Sequence, residues 1–255
     1  MKQLINKWLK NSQLFNYRLK IDSLKHVIFS KNCLLCTSPH TSMHAVCMAC
    51  LNDLPWHPAT TCPQCGLASS GTGLNRTVCG NCISSPPDFD ATHAVFLYQF
   101  PIDAMMQRYK YGNSLNIGDS FGRFLSEKIN SETHLKNIDL IMPMPMHPAR
   151  IKQRGFNQAL EIAKVLAKNN PEKLDYKSVI RQKLTPPQAS LPLKQRVKNI
   201  KGAFRVTNDL TGKRIAIVDD VMTSGASLNE LAKTLKKAGA EHVECWVIAR
   251  TLPHK

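Results

Sequence analysis

The chain has 255 residues and carries 34 Lys and Arg against 18 Asp and Glu, a formal net charge of +16 at pH 7. An apolar content of 43%, with 15 prolines and 12 glycines, excludes wholesale disorder. No uncharged apolar stretch approaches the ~18–20 residues that span a bilayer, so an integral membrane segment is excluded as well.

Residues 1–32 read as a basic arm. Lys7, Lys10, Arg18, Lys20 and Lys25 interrupt its apolar positions and no small-residue cleavage site follows, which argues against a secretion signal and for a cytoplasmic protein. Leu4, Ile5, Trp8 and Leu9 with Lys2, Lys7 and Lys10 have the pattern of a short amphipathic helix. Such a helix can touch DNA or lipid; docking beside the cysteines is the simpler reading.

Residues 33–88 are loop-rich and hold four C-x-x-C pairs: Cys33/Cys36, Cys47/Cys50, Cys62/Cys65 and Cys79/Cys82. A two-residue gap lets both thiolates of one tight turn reach the same ion, and two such turns complete a tetrahedral four-sulfur shell. Eight ligands make two structural zinc sites. Redox catalysis explains one pair at a helix start but not four evenly spaced pairs, and the paired spacing suits zinc better than an iron–sulfur cluster. Sequential pairing is the simplest, with interleaving as the alternative. His40, His44 and His57 lie nearby, but eight cysteines already fill two sites. Gly66, just after Cys65, is free to take a positive φ in the knuckle turn. Cys245, in an apolar stretch, reads as an ordinary buried thiol.

From residue 89 strands and helices alternate, which predicts a mostly parallel sheet flanked by helices. Ala94 to Phe100 is expected as a strand, Ile102 to Tyr109 and Ser120 to Ile129 as helices, and Ile138 to Met142 as a buried strand entering the Pro143–Pro148 loop. Phe156 to Ala167 has helical spacing, Ser178 to Arg181 is a short strand, and Thr185 to Gly202 a long surface loop. Arg214 to Val218 is a strand, Ser227 to Lys237 a helix ending at Gly239, and His242 to Ala249 the last strand.

The segment Arg214 to Leu228 runs strand, acidic pair, small-residue loop, helix. Thr223, Ser224, Gly225, Ala226 and Ser227 bring backbone N–H groups and hydroxyls to a helix start, an anion site. Asp219 and Asp220 lie at the carboxyl end of the strand, where open α/β sheets bind ligands, and can accept hydrogen bonds from sugar hydroxyls. A capped helix after a core strand would explain the loop, but not two adjacent carboxylates.

This segment resembles the diphosphate-sugar (PRPP) motif of the type I phosphoribosyltransferases. The resemblance implies that Asp219 and Asp220 hold the ribose hydroxyls, that Thr223 to Ser227 cradle the 5′-phosphate, and that magnesium accompanies the diphosphate. In chain order, the four C-x-x-C pairs, Pro86-Pro-Asp-Phe-Asp, Tyr109-Lys-Tyr-Gly, Pro143-Met-Pro-Met-His-Pro-Ala-Arg, Arg154-Gly-Phe-Asn-Gln, Thr185-Pro-Pro-Gln and Arg196-Val-Lys-Asn-Ile-Lys-Gly-Ala-Phe, together with the acidic motif, resemble the ComF family of bacterial competence proteins over about residues 33–252. That resemblance implies a double zinc ribbon (33–88) before a phosphoribosyltransferase-like domain (89–255). It also implies a role in natural transformation, handling incoming single-stranded DNA in the cytoplasm with a DNA-uptake or replication-restart helicase as partner. No nucleobase-binding hood is recognisable; the cysteine-rich region occupies the place where many transferases carry one.

Charge supports a polyanionic partner. Arg150 to Arg205 holds 14 basic residues against Glu161, Glu172 and Asp175, an electrostatic footprint for phosphates. Lys110, Arg150, Lys152, Arg154, Lys194, Arg196 and Lys198 are the candidate DNA contacts, with Arg154 and Arg196 also shaped to grip a diphosphate. Tyr109, Tyr111 and Phe156 are candidate stacking platforms or core residues. The expected function is to bind incoming single strands and hand them on; the alternative is an active phosphoribosyltransferase using PRPP and magnesium with an unknown acceptor.

Overall fold

The computed structural model describes residues 31–40, 42–68, 77–112, 114–131, 134–185 and 198–252. The chain divides into two compact units, Met1–Asp53 and Leu54–Lys255. The boundary falls between the second and third cysteine pairs.

In the first unit, β1 (Lys31–Asn32) pairs antiparallel with β2 (Pro39–His40), and α1 (Met48–Asn52) follows Cys47. In the second, α2 (Gly80–Ser84) follows Cys79 in the same way. Neither short helix has apolar periodicity.

The second unit then builds the layered domain. In chain order come β3 (Ala91–Leu97), α3 (Ile102–Tyr111), α4 (Leu115–Ser131), β4 (Leu140–Pro143), α5 (Pro148–Arg154), α6 (Gln158–Leu166), β5 (Val179–Arg181), β6 (Phe204–Val206), β7 (Arg214–Met222), α7 (Ala226–Lys237) and β8 (His242–Arg250). Strands β3, β8, β7 and β4 form one sheet in that order, and every pairing in it is parallel. Strands β5 and β6 make a separate antiparallel pair.

Both faces of the sheet are covered, which accounts for its nearly continuous apolar strands. Ile215, Ile217, Val243, Cys245 and Val247 share one buried cluster with Leu228, Leu231, Ala232 and Leu235 of α7. The alternate residues, Ala216, Val218, Trp246 and Ile248, point to the other face by the two-residue period of a strand and are fully buried as well. Helices α4 and α6 pack together, α4 on β3 and β8, α6 on β4 and β7. Cys245 is fully buried, as expected of an inert core thiol.

Several boundaries differ from the sequence expectation. The first strand of the sheet starts three residues earlier, at Ala91, because Thr92 and His93 are buried despite being polar. The strand expected to stop at Val218 runs on to Met222, and a separate helix, α5, precedes the one expected from Phe156. His147 caps α5, its Nδ1 accepting from the Ala149 N–H at 3.2 Å; Pro148 occupies the first turn, and Gly155 ends the helix at φ +83. The segment 186–197, expected as loop, lies outside the described residues, as do the arm residues 1–30; residues 198–200 are helical.

Candidate functional site

The carboxyl ends of β4 and β7 open into a cleft of about 310 Å³, the place where parallel sheets bind ligands. Its floor is the end of β7. Asp219 and Asp220 are still in strand conformation there, and Asp219 is in register with Val247 of β8. The chain then turns through Thr223 to Gly225, which takes φ +78 at the start of α7. The positive φ of Gly225 is what calls for glycine at this turn; an added Cβ would come 2.9 Å from Met222 Cε, the end of a flexible side chain. Thr223, Gly225, Ala226 and Ser227 line the cleft, and the Ala226 N–H reaches Ser224 Oγ at 3.4 Å.

The acidic pair is electrostatically divided. Asp220 Oδ2 lies 3.0 Å from Lys110 Nζ, at the last turn of α3. Burial alone would lower the lysine pKa, but the Asp220 charge and hydrogen bond raise it. Among the described residues Asp219 has no such bridge: burial first, then the neighbouring Asp220 charge, push its carboxyl up to about 7.

Three arginines line the same cleft as the acids. Arg150 of α5 donates through Nη2 to the Thr185 carbonyl at 3.0 Å, and Arg181, at the end of β5, donates to Thr185 Oγ1 at 2.6 Å. One buried threonine thus holds both guanidinium groups at the cleft wall. Burial and the nearby Arg150 charge lower the Arg181 pKa, while Asp219 opposes them. Arg154 donates to Gln158 Oε1 at 3.3 Å and lies 5.6 Å from the Tyr111 ring centroid. Gln158 Nε2 is buried and has no hydrogen-bond partner among the described residues. An orphaned donor on a cleft wall is an incomplete hydrogen-bonding site.

Of the candidate DNA contacts, Lys110, Arg150 and Arg154 converge on the cleft. Lys152 and Lys198 are exposed and do not line it; Lys194 and Arg196 lie outside the described residues. Tyr109 is no stacking platform. It is fully buried, donates its hydroxyl to the Gln158 carbonyl at 2.9 Å and packs on Phe121 and Phe156. Tyr111 is 69% exposed. Sequence reasoning missed Arg181 as a site residue; its only signal was a cation at the end of a short strand inside the basic segment.

The eight cysteines converge sequentially into two tetrads, Cys33/Cys36/Cys47/Cys50 and Cys62/Cys65/Cys79/Cys82, with the four sulfurs of each within 4.8 Å of one another. Cys36 and Cys47 sulfurs are 3.6 Å apart, as are those of Cys65 and Cys79. A zinc ion bound at about 2.3 Å spaces tetrahedral sulfurs about 3.8 Å apart, so the tetrads fit structural zinc. Backbone N–H groups supply the outer layer: Cys47 N–H to Cys33 Sγ at 3.3 Å and Cys79 N–H to Cys62 Sγ at 3.4 Å. Gly66 takes φ +69 after Cys65, and Thr37 takes φ +63 at the equivalent step after Cys36. His40, His44 and His57 belong to neither tetrad; His57 instead contacts the Gly66 carbonyl at 2.8 Å. Changing Cys82 to serine is expected to lower bound zinc by one ion per chain, measured by elemental analysis after desalting.

No helix among the described residues is long and apolar enough to cross a membrane.

Comparison with known proteins accords with this architecture. Residues 123–253 match the phosphoribosyl transferase domain family and residues 24–83 the double zinc ribbon domain family. Competence protein F of Haemophilus influenzae is 31% identical over 87% of this chain and 98% of its own length. The DNA utilization protein YhgH of Escherichia coli (strain K12) is 31% identical over 86% of this chain and 97% of its own length. Competence protein ComFC of Streptococcus pneumoniae is 23% identical over 79% of this chain and 80% of its own length. The chain belongs to the competence protein F family, in which a double zinc ribbon is joined to a phosphoribosyl transferase domain.

Proposed function

We propose that this protein takes part in DNA uptake, binding incoming single-stranded DNA in the cytoplasm and passing it on, with a DNA-uptake or replication-restart helicase as the receiving partner. The observation that carries the reading is the convergence of Lys110, Arg150, Arg154 and Arg181 on one cleft beside an anion-type loop. The names of the relatives, competence protein and DNA utilization protein, support it. Cations held this way track a phosphate backbone, and Tyr111, exposed beside Arg154, offers a face for a base.

A second reading rests on Asp219, Asp220 and the orphaned Gln158 amide. These suit a sugar diphosphate better than they suit DNA, whose phosphates two carboxylates would repel. In that reading the acids accept from ribose hydroxyls, Thr223 to Ser227 hold the 5′-phosphate, and Gln158 Nε2 donates to an anionic oxygen. Magnesium, carried in with the diphosphate, would neutralise its charge. Bound PRPP then serves as substrate or as a regulator of DNA binding.

The test is anisotropy of a labelled single-stranded oligonucleotide across a salt series, with and without PRPP and magnesium. Tight binding is expected, with the log–log salt slope shallower by about 0.7 for each of Arg150→Ala and Arg154→Ala. Release of the oligonucleotide by PRPP would place the backbone in the cleft. Absence of binding at low salt overturns the first reading, and PRPP bound without effect on DNA favours PRPP as a substrate over PRPP as a regulator.

A further inference from the structure

The opposite end of the sheet carries a second cluster of chemistry that neither phosphate nor cysteine chemistry uses. His93 is the third residue of β3 and Glu244 the third of β8, neighbouring parallel strands, so both sit near the amino ends. His134 opens the 3-10 turn His134–Asn137 that leads into β4. His93 Nε2 lies 3.4 Å from Glu244 Oε2 and His134 Nδ1 lies 3.8 Å from Glu244 Oε1. The two imidazole centroids are 4.0 Å apart, and the three candidate ligand atoms all fall within 4.8 Å of one another.

The surroundings are those of a ligand set. Trp246 Nε1 donates to Glu244 Oε2 at 2.8 Å, and His242 Nε2 lies 3.0 Å from Glu244 Oε1. His242 Nδ1 in turn faces Asp90 Oδ2 at 3.4 Å. An outer layer that fixes a carboxylate in this way is the usual companion of metal ligation. Glu244 and His93 are buried, yet the described ion pairs of Glu244 are all with histidines, which carry no permanent charge at neutral pH. A buried carboxylate calls for a cation. His134 is partly exposed and leaves a way in.

We propose that His93, His134 and Glu244 form a third metal site, for a borderline divalent ion such as Zn²⁺. Two imidazoles and one carboxylate suit zinc, cobalt or nickel, and not magnesium or calcium, which take oxygen ligands. Ligands about 2.0–2.1 Å from a tetrahedral ion stand about 3.3–3.4 Å apart. The His93–Glu244 separation already has that length, and His134 closes the shell by a small inward shift. Three protein ligands leave the fourth position to water.

The experiment uses the full chain, loaded with Zn²⁺, desalted and counted by elemental analysis. His134→Gln is expected to bind one ion fewer than the unaltered protein, and His134→Asp, which keeps a ligand atom, to recover it. Loading the same proteins with Co²⁺ reports on the ribbons separately, because only the cysteine sites give thiolate-to-cobalt charge transfer. That band is expected to be unchanged in His134→Gln. A metal count equal to that of the unaltered protein, or one that falls only together with the cobalt–thiolate band, overturns the proposal.

Discussion

Replacing Arg250 with leucine is expected to lower the thermal midpoint by roughly 10 °C, from several buried carbonyls left without donors at about 1–3 kcal/mol each, a total of about 3–5 kcal/mol, at about 2–4 °C per kcal/mol for a unit of this size. Arg250 ends β8 and is 4% exposed. Its Nε donates to the Cys65 carbonyl at 2.9 Å, and its Nη1 reaches the carbonyls of Met222 at 2.9 Å, Thr251 at 3.1 Å and Thr223. Burial lowers the guanidinium pKa, and the neighbouring thiols Cys65 and Cys82 act against that. Leucine fills part of the volume but leaves buried acceptors without donors, the costly side of hydrogen-bond loss. The same arginine joins the knuckle turn of the second cysteine tetrad to the first residue of the phosphate-type loop. Arg250→Leu is therefore expected to weaken both zinc retention and ligand binding in the cleft, although Arg250 does not line it. Arg250→Lys, which keeps the charge and loses the fork, should fall between. Calorimetry at neutral pH in the presence of zinc measures the effect; a midpoint within 2 °C of the unaltered protein would show that water replaces the guanidinium at little cost.

Nothing around Arg250 announces this role in the sequence, and the reason is general. Features set by local spacing were legible. The two-residue gaps of the cysteine pairs, the apolar runs of β7 and β8, and the small-residue loop before α7 all depend on residues that are neighbours in the chain. The run of β7 through Asp219 to Met222 was not legible, because charged residues look like loop unless the adjacent strand holding them in register is known. Helix α5 was missed because Pro148 to Arg154 has no apolar stripe and is defined by its ends, a His147 cap and a left-handed Gly155. Strand β6 is three residues long and exists through its pairing with β5. Arg181 and Thr185 reach the cleft from one segment and Gln158 from another, and His93, His134 and Glu244 come together across more than a hundred residues. Such groups are products of the topology. No spacing rule in a single chain finds them.

Asp219→Asn is expected to raise the thermal midpoint at pH 8 by about 3–6 °C and, on the PRPP reading proposed above, to abolish binding of PRPP with magnesium. Asp219 is partly buried beside Asp220, and its carboxyl is raised to about 7, against an ordinary value near 3.9 in an unfolded chain. Between roughly pH 4 and 7 the folded protein therefore holds a proton that the unfolded chain has lost. Folding takes up protons across this window, so the contribution of Asp219 to stability falls as pH rises and is at its most unfavourable above pH 7. A shift of about three units corresponds to about 4 kcal/mol at most; partial exposure and the Lys110 charge reduce the expected gain to about 1–2 kcal/mol, hence the few degrees. Asparagine carries no charge to desolvate, so the difference from the unaltered protein should close as pH falls toward 4. Ligand binding runs the other way. On the PRPP reading proposed above, an ionised Asp219 accepts from ribose hydroxyls, whereas the amide offers one acceptor and a donor. PRPP affinity in the unaltered protein is thus expected to rise through pH 7, by up to tenfold per unit below it. Melting curves from pH 4 to 8 and calorimetric titration with PRPP and magnesium measure the two arms on the same samples. A residue that destabilises the fold and is required for a ligand belongs to the site; undiminished PRPP binding in Asp219→Asn would remove Asp219 from it, and an unchanged midpoint at pH 8 would show that Lys110 already neutralises the pair.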